Sequence, residues 1–161
     1  NISNFFRIIV AILSSDKEFV RKTKSVTGFY PVNISLYKLA FKHKSTQNGS
    51  VGDNQSNNER LEYLGDAILG AIVAHLLFKK YPFRDEGFLT EMRSKIVNRD
   101  NLNKLAIKLG IDSLMKEKTD HISKSIYGDA FEALVGAIYL DRGYNFTKKF
   151  KIGRASCRER V

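Results

Sequence analysis

Three carboxylates in the stretch Asn58 to Leu69 (NERLEYLGDAIL) constrain this chain more than any other feature. On a helix at about 100° per residue, Glu59, Glu62 and Asp66 share an arc of roughly 60°, and Leu61, Leu64, Ile68 and Ile72 fall opposite. Like charges at i, i+3 and i, i+4 destabilise a helix by about 0.2–0.5 kcal/mol per pair. An acidic face of this kind is either solvated surface or a place where a cation or a shared proton is held.

A second stretch tips the balance. In Gly128 to Asp141 (GDAFEALVGAIYLD), Asp129 and Glu132 stand at i, i+3, with Phe131, Leu134, Val135 and Ile138 on the opposite side. Each helix carries a glycine four residues after its last acid, Gly70 after Asp66 and Gly136 after Glu132, and missing side chains there would let two helices approach closely. Two acidic faces pressed together need a hard cation between them, or one carboxylate must keep a proton.

At 161 residues and 43% hydrophobic, the chain suffices for one ordinary core. It begins at Asn1 and is expected to be a fragment. Its last eleven residues, 151–161 (KIGRASCRERV), back-translate codon by codon into a commonly used sequencing-library adapter that begins AGATCGGAAGAGC, so they are expected not to be native. Setting aside that tail's four basic residues and one acid lowers the net charge from +10 to +7, still basic. The single cysteine, Cys157, goes with the tail, so no disulfide chemistry is expected and an intracellular, cytoplasmic setting fits. A basic protein that gathers its acids into helical clusters suits a polyanionic partner around an acidic metal centre.

The rest reads as helices. Residues 5–13 (FFRIIVAIL) are too short to span a bilayer, are interrupted by Arg7 and lack a cleavage site, so an amphipathic helix rather than a membrane or secretory segment is expected. Ser15 to Thr27 is helix-compatible and closed by Gly28 and Pro31; Asn33 to His43 reads as a short helix capped by Asn33 or Ser35. Residues 44–57 are a loop. The acidic helix then runs from about Asn58 to Lys80, and its apolar second half, Ala67 to Phe78, identifies it as the buried central helix, with His75 a hydrogen-bonded core or rim residue. Two amphipathic helices follow between Asp85 and Gly110. Glu86 is placed in the turn before the first of them, and Arg93, Lys95 and Arg99 are basic residues able to meet phosphates. Ile111 to Ser125 is a polar turn region, Gly143 ends the second acidic helix and Tyr144 to Phe150 starts another. The fold class is all-α, a helical bundle around a central buried helix.

Carboxylates without Cys or nearby His suit Mg²⁺ or Mn²⁺ rather than zinc, and such ions serve phosphoryl chemistry. A di-iron bundle ranks below this, because it wants Glu-x-x-His pairs while Ile72 and Lys118 stand three residues before His75 and His121.

NERLEYLGDAIL closely resembles the signature of the ribonuclease III family, and DEG at Asp85 to Gly87 and GDAFEALVGAIYLD resemble its downstream motifs in order. The resemblance implies a ribonuclease III endonuclease domain over 33–150, preceded by a helical extension over 1–32. It also implies a metal-dependent endonuclease for double-stranded RNA, acting as a homodimer, needing no small-molecule cofactor and leaving a 5′-phosphate and a 3′-hydroxyl. Carried over by position, Glu62, Asp66, Asp129 and Glu132 would hold Mg²⁺ and carry catalysis, with Asp66 and Glu132 the most sensitive. Glu59 and Glu86 would be accessory acids of the cleavage valley, and Tyr63 would take the aromatic place of the dimer contact, where many members have Phe. The alternative is a catalytically silent RNA-binding or dimerisation module, whose mark would be loss of one of the four acids.

Overall fold

A computed structural model describes residues 15–42, 58–115 and 126–150, which are all-helical and contain no strand. The helix expected over 5–13, the loop over 44–57, His43, His121, Cys157 and the tail lie outside the described residues. The helices are α1 (Lys17–Thr27), α2 (Ile34–Ala40), α3 (Glu59–Lys80), α4 (Glu86–Ile96), α5 (Arg99–Leu109), a 3-10 turn (Ile111–Leu114), α6 (Ile126–Arg142) and α7 (Tyr144–Lys149).

Their ends follow the local chemistry. Gly28 closes α1 at φ 89° and Gly110 closes α5 at φ 79°, a left-handed conformation that a side chain resists. Asp85 caps α4 by accepting from the Phe88 N–H at 2.8 Å, and Asn98 caps α5 by accepting from the Asn101 N–H at 2.8 Å. Glu86 is therefore the first residue of α4 rather than part of the turn before it, because the shorter Asp85 side chain takes the cap. Asn33 holds the N-cap position of α2, but its side chain accepts from Ser35 Oγ instead of from a helical N–H.

A central buried helix is present, and it is α6. Its Phe131, Leu134, Val135, Ala137 and Ile138 are wholly buried, and α3, α5, α2 and α7 all pack on it. Burying Phe131, Leu134 and Ile138 contributes about 1.5–3 kcal/mol each. The helix expected at the centre, α3, buries only one side, with Leu61, Leu69, Ile72, Val73 and Leu77 turned to the core. By length and composition alone it would pass for a membrane span, but its apolar run closes the core against α6. Ala67, Ala71, Ala74 and Phe78, expected inside, are exposed in line with Tyr63. The region after Gly110 also departs from the expectation of a polar turn: Ile111 and Leu114 seal the core from the 3-10 turn.

Candidate metal centre

The site begins with two glycines at the crossing of α3 and α6. A Cβ on Gly65 would stand 1.7 Å from the Glu132 carbonyl oxygen, and one on Gly136 would stand 2.3 Å from the Leu61 carbonyl oxygen. Only backbone on both sides allows this approach. The expected pair was Gly70 and Gly136. Gly70 instead lies beneath the Arg93 guanidinium, where an added Cβ would meet Nη2 at 2.9 Å.

The crossing dictates which acids meet. Glu62 follows Leu61, whose carbonyl touches Gly136, and Glu132 carries the carbonyl that touches Gly65. At the start of α6, Asn103 on α5 accepts from the Gly128 N–H at 2.7 Å, which fixes the adjacent Asp129. Carboxylate oxygens of Glu62, Asp129 and Glu132 lie within 4.8 Å of one another, all three side chains half-buried. Such a group of oxygen donors fits a hard divalent cation and not a thiophilic one.

The electrostatics fit the same occupant. Burial pushes the Glu132 carboxyl up to about 7, and the negative charges of Asp66, Glu62 and Asp129 push the same way, with Arg99 opposing them. Glu62 is also raised, first by burial and then by Asp129. Without a cation the cluster thus favours a retained proton on Glu132 near neutral pH.

Asp66 is exposed and stands outside the three-oxygen group, although its charge is the strongest neighbouring push on Glu132. Glu59 is exposed and acts on Glu62 through its charge. Glu86 is exposed too, with its Oε1 accepting from Thr90 Oγ1 at 2.7 Å, and it does not join the cluster. Tyr63 projects from α3 at 82% exposure, heading an apolar line through Ala67, Ala71 and Ala74 to Phe78, itself 72% exposed. His75 sits on the rim as expected. Its Nε2 lies 2.7 Å from Lys148 Nζ, and desolvation followed by the charges of Lys148 and Lys79 lowers its basicity.

The sequence pattern does not single out Gly65, Asn103 or the pairing of Arg99 with Asp129. Gly65 was legible in principle, since it lies on the buried i, i+4 line Leu61, Gly65, Leu69. Asn103 gave no such signal, because its partner belongs to another helix.

Residues 33–154 match the family model described as Ribonuclease-III-like. The chain is 50% identical over 141 residues to a protein named Ribonuclease 3 from Bacteroides fragilis, covering 86% of this chain and 49% of that one. It is 49% identical over 150 residues to Ribonuclease 3 from Phocaeicola vulgatus, covering 92% and 49%. The chain spans about half the length of these curated relatives. Among solved structures, the nuclease domain of ribonuclease III from Campylobacter jejuni superposes with a TM-score of 0.74 at 30% identity, over 88% of this chain and 97% of that one. A second structure of that domain, described for structural flexibility in the region involved in dimer formation, gives 0.73 at 31% identity over 85% and 94%.

Proposed function

Because the chain belongs to the ribonuclease III family, we propose that it is a Mg²⁺-dependent endonuclease that cleaves double-stranded RNA to 5′-phosphate and 3′-hydroxyl ends in cytoplasmic RNA processing. The observation that carries this reading is the convergence of Glu62, Asp129 and Glu132 from two helices. These three carboxylates would hold the ion, and Asp66, exposed at the edge, would complete the acidic set toward solvent and substrate. Bound Mg²⁺, for which Mn²⁺ can substitute, supplies Lewis acidity and an activated water for attack on phosphorus. The protein's own contribution is to hold like charges at a separation they would not keep unaided. The backbone contact at Gly65 and Gly136 does this without any side chain that could relax.

The protein would act as a homodimer through α3. Tyr63, the three alanines and Phe78 form an apolar line beside the acids, and a second copy related by a two-fold axis would cover it. Two sites so related would cut opposite strands of a duplex, making strand pairing rather than base identity the main determinant. We assign residues 33–150 to the nuclease domain, the residues before 33 to an N-terminal extension that includes α1, and 151–161 to non-native sequence; the family match covers 33–154 and so reaches four residues into that last stretch.

Cleavage of a long RNA duplex by the wild type, Asp66→Asn and Glu132→Gln in Mg²⁺ tests the reading. Either substitution is expected to lower the rate by at least about 1,000-fold, since each weakens stabilisation of transition-state charge. Equal cutting by all three would refute the site. Binding without turnover by the wild type in Mg²⁺ and Mn²⁺ would mark a silent RNA-binding or dimerisation module instead.

A further inference from the structure

Arg99 contacts the acid cluster from α5, with Nη2 3.7 Å from Asp129 Oδ1 and its side chain 67% exposed. Its backbone is held from two directions. The Asn98 cap fixes the start of α5, and one turn later Asn103 Oδ1 accepts from the N–H of Gly128, where an added Cβ would stand 3.0 Å from that same oxygen. A long, solvated guanidinium therefore extends from a fixed base to the edge of the cluster. It is the favourable counter-charge acting on both Glu62 and Glu132.

A divalent ion and this guanidinium compete for the same carboxylate. The ion takes oxygen lone pairs that Arg99 now faces, and the two positive charges repel. The exposed side chain can turn away at little cost, while its backbone keeps it beside the site. A guanidinium displaced in this way presents forked donors suited to a phosphate.

We propose that Arg99 is a substrate-contacting residue with two positions: counterion of Asp129 in the metal-free chain and, once the carboxylates are taken up by a divalent ion, a donor to a phosphate oxygen of the bound RNA strand. The proposal rests on the nuclease reading above and extends it to a residue outside the acidic set.

The test pairs two readouts of opposite expected sign in Arg99→Ala, with Arg99→Gln as an uncharged variant of similar length. Mn²⁺ binding to the RNA-free chain, measured by calorimetry, should tighten about 3- to 10-fold, because a competing cation is gone. Duplex cleavage in saturating Mg²⁺ should fall about 10- to 100-fold in kcat/KM, with Arg99→Lys recovering part of the loss. Lys108→Ala removes a charge from the far end of the same helix and should change neither. Unchanged or weaker Mn²⁺ binding in both uncharged variants would overturn the counterion role. Unchanged cleavage alongside an active wild type would overturn the phosphate role. An inactive wild type would instead count against the nuclease reading, while the Mn²⁺ measurement would still decide the counterion role.

Discussion

The two ends of α6 treat buried acids in opposite ways. At its C-terminal end the Asp141 side chain is 1% exposed, yet it accepts from the Val32 N–H at 3.0 Å, the Asn33 N–H at 2.8 Å and the Tyr37 hydroxyl at 2.8 Å. Arg142 adds its charge at 3.6 Å, donates to the Tyr30 carbonyl and lies against the rings of Phe29 and Phe146. Burial, followed by the adjacent Asp141 charge, raises the Tyr37 hydroxyl far above its ordinary range, so it stays a donor. At the N-terminal end, Asp129 and Glu132 face Glu62, and the neighbouring helix α5 offers the exposed Arg99 in return. One end pairs its acid internally, with Arg142 Nε left to charge attraction rather than a hydrogen bond, and ties 30–33 and α2 to α6. The other presses like charges together, a strain that a divalent cation or a retained proton would relieve. Structure and function are thus divided between the termini of a single helix.

The largest expected effect comes from closing the gap that makes the needy end possible. Gly65→Ala puts a methyl 1.7 Å from a backbone carbonyl that cannot rotate away, so α3 and α6 must separate. Chemical denaturation should show a loss of about 3 kcal/mol or more, with metal binding lost alongside, since overpacking a close helix contact moves backbone. A smaller loss that spared metal binding would mean that the crossing does not set the site.

Asp141→Ala is expected to lower stability by about 3 kcal/mol, because it strands two N–H groups, a hydroxyl and a half-buried arginine together. Asp141→Asn keeps an acceptor and should lose less. Both should retain metal binding in whatever fraction stays folded, which sharpens the division between the two ends.

A third expectation concerns pH. In the metal-free chain Glu132 titrates at about 7 against 4.5 in the unfolded chain. The folded state therefore binds the extra proton between these values, and stability should fall as pH rises from 4.5 through 7. After allowance for solvent at a half-buried group, the loss is about 2 kcal/mol. Glu132→Gln removes it, so thermal melts without metal should find that variant more stable than wild type at pH 8 and nearly equal to it at pH 5. Parallel melting curves at both pH values would contradict the assignment.

The acid cluster was legible because like charges repeated on one helical face are improbable without a purpose, and two such faces carry the information twice. Helix ends were legible where Gly28, Gly110 and Gly143 mark them. The order of burial was not. Both α3 and α6 are rich in apolar residues, and a hydropathy pattern does not tell a side turned to the core from an exposed one, so Ala67 to Phe78 read as interior. Spacing from the last acid singles out Gly70, whereas the crossing glycine, Gly65, sits on the buried line Leu61, Gly65, Leu69. Asp141 carried no local signal at all: its hydrogen-bond donors lie 104 to 109 residues earlier in the chain, a separation no helical period encodes.

Calorimetric titration of Mn²⁺ into the RNA-free chain at pH 7.5 tests most directly whether the acids at the N-terminal end of α6 form a cation site. Saturable binding by the wild type and by Asp141→Asn, abolished in Glu132→Gln, is the predicted result. Indistinguishable isotherms for wild type and Glu132→Gln would contradict it.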